Sequence, residues 1–461
     1  MLGIDVGSSF IKSAVLDLES GGLKYEQICP TPPFIDTTGV KREISMERIA
    51  DQVKSLIDEA LSLCPVAGVV FSVQMHGFQL FSGGKTLSDY VSWQDMRGSG
   101  LNGEGDIAFR IKNLAGEELL MRNGVSLRNS HSLCPLYHLM GEKRFAGPVQ
   151  FSMLGDALIR FLTGELSPIH PTVAASSALY DLKKQDWNRE LIETLSLENI
   201  QFPPVYGGKE PAAYYERSGR KIPLYTAVGD HQAAILGCGA GDGDIVINIG
   251  TGGQISYVDA GLSFGEYETR PYFSGRNLRA LTQLPSGRSL NIFTNLILDT
   301  GNRIFGANTK ADSKFWDRLN TLAEEAVSRD DGPRLDLDMS FFDPGGGSIR
   351  GIDTRNLNAG SLFAAVYRNM ADSYFSAFGQ LEIEGDAPRN IIGAGGVFRK
   401  TPVLRQILAD RFTAPLRPSP CSEDVMIGLL HLARWYAGNR DEILPSTAVR
   451  QAENRNMMRE L

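Results

Sequence analysis

Two short apolar stretches open the chain, Leu2–Val6 and Phe10–Leu16, with Gly7-Ser8-Ser9 between them. This pattern predicts a β-hairpin closed by a glycine turn. Ile49, Val53, Leu56, Ile57 and Ala60 then recur at helical spacing. Residues 67–73 form an apolar run of strand length that ends in Gln74-Met75-His76-Gly77. Strand, helix and strand in this order predict α/β layers, with the reactive loops at the carboxyl ends of the strands. Residues 101–205 read as mixed and mainly helical, with turn breaks.

The pattern returns in the second half. Residues 221–227 are apolar and run into Gly229-Asp230-His231, and a glycine-rich patch covers 237–243. A strand over Ile245–Ile249 is turned by Gly250-Thr251-Gly252-Gly253 into a second strand over 254–258. Asp5 near the end of one strand and Asn248 near the end of the other each precede a turn of glycine and hydroxyl residues. The repeat predicts two similar domains facing each other, although two glycine turns also resemble one another by chance. The boundary falls near Pro223, giving domains over 1–223 and 224–440 and a polar tail over 441–461. A third glycine cluster, Gly393-Ala394-Gly395-Gly396, follows a strand over 389–392. Thr401 and Pro402 then start a helix through Val403, Leu404, Ile407 and Leu408. A last amphipathic helix is expected over 423–436.

Composition narrows the class. A chain of 461 residues exceeds one compact core and suits two domains. Lys and Arg number 46 against 54 Asp and Glu, a net charge of -8 with no basic tract, which argues against a nucleic-acid partner. Cys29, Cys64, Cys134, Cys238 and Cys421 are scattered without a CxxC pair, as in a reducing compartment without structural zinc. No signal peptide is expected before the first strand, and no apolar run is long enough to cross a bilayer. A cytoplasmic enzyme is expected, as a homodimer by default.

The candidate chemistry lies at the turns. Glycine turns expose backbone N–H groups that can cradle phosphate oxygens, with Ser8, Ser9 and Thr251 adding donors and Lys12 adding charge if it points inward. Neither turn carries a P-loop, and each alone also reads as an ordinary hairpin. Asp5 can hold magnesium beside arriving phosphates, or simply cap its turn. Gly395 and Gly396 would let the backbone approach a base or ribose. Asp230 can take the proton of a sugar hydroxyl during phosphoryl transfer; on sequence grounds it equally reads as a cap on the next helix. Gln74, Met75 and His76 offer hydrogen-bonding and packing groups for a polyol, and Trp93-Gln94-Asp95 offers an aromatic wall with an amide and a carboxylate. A structural histidine and a core tryptophan remain alternatives for His76 and Trp93.

At these residues the sequence resembles the FGGY family of carbohydrate kinases, over nearly the whole chain. Residues 5–12, Asp-Val-Gly-Ser-Ser-Phe-Ile-Lys, resemble the family's first phosphate motif, and 248–253 its second. Asp230 falls at the position of the family's catalytic base, residues 391–396 resemble its adenosine motif, and the stretch from Gly275 to Asn291 also has a family flavour. The resemblance implies a two-domain fold of the actin, hexokinase and Hsp70 type (ribonuclease H-like) with a cleft between the domains. It also implies ATP and Mg2+ as cofactors and a small sugar as substrate. Phosphates would lie at Gly7, Ser8, Ser9, Lys12, Gly250, Thr251 and Gly252, adenosine at Gly395 and Gly396, and the metal at Asp5. The sugar would lie against Gln74, Met75, His76, Trp93, Asp95 and Asp230. The pocket motifs are most similar to those of sedoheptulokinases, with xylulokinases next, so the implied reaction gives a ketose phosphate. A nucleotide-dependent switch and a sugar-binding regulator are the non-enzymatic alternatives.

Overall fold

The opening hairpin forms from β1 (Leu2–Val6) and β2 (Phe10–Leu16), with Asp5 opposite Lys12. The structure is a computed structural model describing residues 1–444 apart from 38, 101–104, 142–144, 146, 330–333, 342–345, 384–387, 389, 413, 440 and 441. β3 (Leu23–Pro30) continues antiparallel beside β2. The chain then crosses through α1 (Met46–Leu63) into β4 (Val69–Val73), which runs parallel to β1. The Ser45 side chain caps α1 by accepting the N–H of Arg48, and the predicted apolar stripe from Ile49 to Ala60 faces inward. Every residue of β4 is buried, which is why that run carries no polar alternation.

β5 (Ala213–Arg217) and β6 (Arg220–Leu224) complete the first sheet in the order β5-β6-β4-β1-β2-β3, and β7 (Val228–Gly229) also lies parallel to β4. Pro223 therefore sits within a strand, and the first sheet carries the chain past the expected boundary to Gly229. Of the apolar run over 221–227, residues 221–224 belong to β6, and 225–227 connect β6 to β7. A further sheet is built from Glu43–Ile44, which precedes α1, and from Phe78–Ser82, Tyr90–Val91, Val149–Met153 and Ile200–Gln201, which lie between β4 and β5, with short helices around it. The stretch read as mainly helical thus contributes strands as well.

After α2 (Asp230–Gly237), the second sheet repeats the first. β8 (Ile245–Ile249) and β9 (Gly253–Asp259) form the second hairpin, β10 (Glu268–Pro271) and β11 (Asn277–Thr282) extend it antiparallel, and β12 (Ile391–Ala394) lies parallel to β8. With β13 (Leu416–Pro418) the order is β10-β11-β9-β8-β12-β13. In this correspondence β1 matches β8, β2 matches β9 and β4 matches β12. Asp5 therefore matches Asn248, and the loop from Gln74 matches the glycine cluster from Gly395. The remaining helices used below are α3 (Gly287–Asp299), α4 (Ala359–Gln380), α5 (Gly396–Lys400), α6 (Pro402–Phe412) and α7 (Asp424–Tyr436). Arg389, expected to open the strand before the third glycine cluster, lies outside the described residues, as does the expected tail apart from 442–444.

Each lobe has its own apolar core. A third core joins them: Ala14, Val70 and Val228 of the first sheet pack with Leu236 of α2, Leu429 of α7, and Val246 and Ile392 of the second sheet. The lobes are thus fused at their base. The cleft opens at the carboxyl ends of the central strands. No helix among the described residues is long and apolar enough to cross a membrane.

Candidate active site

The cleft between the lobes encloses about 1290 Å³, and its lining includes Ser8, Gln74, Met75, His76, Trp93, Asp230, Gly250, Thr251 and Gly252. Residues predicted from five separate stretches of sequence thus share one cavity, because β1, β4, β7 and β8 all end there.

Two carboxylates stand at the strand ends here: Asp230 lines the cavity, whereas Asp5 lies near enough to feel its charge but is not part of the lining. Asp5, next to last in β1, accepts a hydrogen bond from Ser72 Oγ at 2.9 Å. Asp230 begins α2 directly after β7, and its Oδ1 accepts the His231 backbone N–H at 2.8 Å. Burial pushes the Asp5 carboxyl up to about 7, with the like charge of Asp230 adding to it. Burial raises Asp230 to about 6, opposed by its backbone hydrogen bond and by Arg270. A carboxylate at that value accepts protons near neutral pH far better than an ordinary aspartate. A Cβ on Gly229 would stand 2.4 Å from Gln232 Oε1 and 2.7 Å from Met75 Sδ, so a larger residue there would push these two side chains aside.

The loop after β4 forms one wall. Neither side-chain amide atom of Gln74 finds a hydrogen-bond partner among the described residues, although Gln74 is only 3% exposed. A buried amide left unpaired is unfavourable unless a ligand completes it. His76 adopts φ +69, rare for a residue with a Cβ, and three hydrogen bonds hold it there. Its N–H donates to Ser176 Oγ at 3.2 Å, its C=O accepts from Ser132 Oγ at 2.8 Å, and its Nδ1 meets the Ser176 carbonyl at 2.7 Å. Because a carbonyl only accepts, Nδ1 carries the proton and Nε2 remains an acceptor. Burial and the nearby Arg270 lower His76 to about 4, so the ring is neutral. The Trp93 indole N–H donates to Ser8 Oγ at 3.0 Å, closing the Trp93 loop onto the first glycine turn.

Asp95 is not brought to the cleft. It is fully buried and accepts from Arg97 Nε and Nη2, both at 2.7 Å, and from the Arg42 backbone at 2.8 Å. A carboxylate so completely paired holds the Trp93 loop in shape and has no free edge for a sugar. Lys12 also departs from expectation: its ammonium pairs with Glu423 across the lobes at 2.7 Å.

On the second lobe, Gly250 N–H closes its turn onto Gly252 O at 3.0 Å, leaving Thr251 and Gly252 exposed at the tip, as Ser8 and Ser9 are in the first turn. The start of α3 lies against this turn, with Gly287 N–H on Gly250 O at 2.9 Å and Ser286 Oγ on Thr251 O at 2.8 Å. Gly395 has φ +88, and a Cβ there would lie 2.5 Å from the Ile249 backbone. That glycine lets β12 turn tightly against the end of β8, whereas Gly396 faces open space. Neither belongs to the cavity lining.

Sequence reasoning missed a charged network along the cleft, whose Arg128, His231, Arg270 and Thr282 all line the cavity. Arg128 pairs with Glu268 at 2.9 Å and donates to Thr282 Oγ1 at 3.0 Å. Glu268 in turn pairs with Arg270 at 2.5 Å, and Arg270 Nη1 donates to His231 Nδ1 at 2.9 Å. His231 Nε2 then carries the proton and donates to Ser256 Oγ at 3.0 Å. Burial opposes the Glu268 charge, but Arg270 and Arg128 overcome it and hold this carboxyl at about 2. The available signal was Glu268-Thr269-Arg270, opposite charges two apart on one strand face.

Three comparisons place this architecture. Glycerol kinase 5 of Gallus gallus is 22% identical over 64% of this chain and 62% of its own length. The chain spans only 52 to 62% of the length of the three glycerol kinases most readily matched. Sedoheptulokinase of Mus musculus is 22% identical over 90% of this chain and 93% of its own. The crystal structure of xylulose kinase from Rhodospirillum rubrum superposes with TM-score 0.81 at 18% identity, covering all of this chain and 96% of that one. The fold is therefore the two-domain actin and hexokinase type. Residues 1–237 match the FGGY family of carbohydrate kinases, N-terminal domain, and the chain belongs to that family.

Proposed function

We propose that this protein is an ATP-dependent carbohydrate kinase that transfers the γ-phosphoryl group of ATP to the terminal primary hydroxyl of a ketose, with D-sedoheptulose giving sedoheptulose 7-phosphate as the preferred reading. The observation that carries it is the unpaired, buried amide of Gln74 sharing a cavity with Asp230. An acceptor and a donor left open beside a raised carboxylate suit a polyhydroxy compound whose hydroxyl must be oriented and deprotonated.

In this reading the sugar lies against Gln74, Met75, His76 and Trp93, and His76 Nε2 accepts a hydroxyl hydrogen bond. Asp230 takes the proton of the reacting hydroxyl while its oxygen bonds to the γ-phosphorus. The bond from that phosphorus to the β-bridging oxygen breaks, ADP leaves, and Asp230 returns its proton to solvent. The phosphates sit against Ser8, Ser9, Thr251 and Gly252, and adenosine runs past the start of α3 toward Gly396. Asp5 suits a divalent cation: its carboxylate is held by one hydroxyl, and burial with Asp230 disfavours its charge until a cation offsets it. When bound, Mg2+ would neutralise phosphate charge. ATP and five free thiols fit a cytoplasmic enzyme.

The length of the match to the mouse sedoheptulokinase supports the seven-carbon sugar, and the likeness to xylulose kinase makes a smaller ketose the second reading. ADP release with magnesium-ATP against sedoheptulose, xylulose, ribulose, fructose and glycerol tests both. Highest kcat/KM for sedoheptulose supports the proposal. Preference for another sugar keeps the kinase and discards this substrate, and no stimulation by any sugar discards the kinase.

A further inference from the structure

Glu423, the residue immediately before α7, has no part in the chemistry above, yet it reaches from the second lobe to the first. Its Oε2 accepts from Lys12 Nζ at 2.7 Å, joining positions 411 residues apart. Lys12 stands opposite Asp5 in the first hairpin, beside the turn where phosphates would arrive. Asp424 follows, bonded to Ser419 and to Arg399, and Arg399 lies in the short α5 behind the third glycine cluster. The start of α7 therefore ties the first glycine turn to the segment after the third. Side-chain exposures of 36% and 37% show that the Lys12–Glu423 pair is open to water, so it exchanges partners at small cost.

We propose that Glu423 makes nucleotide binding depend on a divalent cation by opposing nucleotide that arrives without one. The inference rests on the reading of the cleft as a nucleotide site. A phosphate chain at the first turn draws Lys12 into charge-assisted hydrogen bonds and away from Glu423. Glu423 is then a bare carboxylate near the same anions and near Asp5, on which it already acts as a like charge. A cation accompanying the phosphates offsets both carboxylates. Metal-free nucleotide supplies only negative charge and meets their repulsion.

The experiment is calorimetric titration of ADP into the full-length protein, with magnesium and with EDTA. Wild type is expected to bind magnesium-ADP at least about tenfold tighter than metal-free ADP. Glu423→Gln is expected to narrow that ratio to about threefold or less, by gaining affinity for metal-free ADP. Glu423→Ala should behave alike, which separates lost charge from an effect of the amide. An unchanged ratio, or one narrowed only by weaker magnesium-ADP binding, overturns the role. If wild type binds ADP under neither condition, the nucleotide reading itself falls, and that result is distinct from an unchanged ratio.

Discussion

Asp230 owes its raised pKa to position: half-buried at the start of a helix, its carboxyl is pushed up to about 6. Asp230→Asn should reduce kcat by about 10²- to 10⁴-fold while magnesium-ADP binding survives, as titration calorimetry would show. If Asp230 is the base, as proposed, it must be deprotonated in the wild type, so kcat/KM should fall about tenfold per pH unit below about 6. The same shift has a stability consequence. The folded value of about 6 exceeds the ordinary 3.8, so the favourable contribution is present at low pH and lost as pH rises through 6. Asp230→Asn should therefore melt above wild type at pH 8, by roughly 1–3 °C, with the gain vanishing near pH 4. Gln74 is the complementary case, a group that the unliganded fold leaves unsatisfied. Gln74→Ala should raise the sugar KM about tenfold and leave the ATP KM unchanged; equal effects on both would assign Gln74 to the fold rather than to the sugar.

At the scale of elements, the proposed base Asp230 is held by contacts that sequence does not display. The Gly229 N–H at the start of α2 donates to Thr172 Oγ1 at 3.1 Å, and that hydroxyl meets His170 Nδ1 at 2.8 Å. Thr172→Val keeps the shape and removes the acceptor, leaving a buried N–H unpaired. It should destabilise the protein by about 1–3 kcal/mol. It should also lower kcat more than either KM and move the acid limb of the pH profile; loss of stability alone would deny Thr172 a positioning role. The hairpins and their parallel neighbours were legible because each is an apolar run followed within a few residues by glycine, a local signal. Trp93-Gln94-Asp95 was half legible: the indole does reach the cleft, but Asp95 turns inward because Arg97, two residues on, and the Arg42 backbone claim its oxygens. Of the network from Arg128 to His231 only the Glu268–Arg270 pair was legible, because the other members come from separate elements and only the fold places Glu268 between the two arginines. Lys12 shows the same limit, since its partner lies at the other end of the chain.

The whole molecule joins its lobes through close contact of backbones rather than through a linker. Where α2 crosses α7, a Cβ at Gly237 would stand 1.7 Å from the Asp424 carbonyl, and one at Gly428 would stand 1.9 Å from the Ala233 carbonyl. Only two glycines allow the helices this near. Around them the third core draws from both sheets, so loosening the crossing exposes apolar surface of each lobe at once. Unfolding should therefore be cooperative across the lobes despite their size. Gly428→Ala should force the helices apart at a cost at or above the usual 1–3 kcal/mol for overpacking, because the obstacle is backbone and cannot rotate away. A scanning calorimeter should record one transition for wild type and one, several degrees lower, for the variant. Two separated transitions in wild type would show that the lobes are stable apart and that the shared core is an interface. The same crossing places Asp230 at the start of α2 and Glu423 just before α7, so a variant that spreads it should also weaken magnesium-ADP binding at temperatures where the protein remains folded. Intact binding beside a lowered midpoint would separate the crossing's role in stability from any role in setting the cleft.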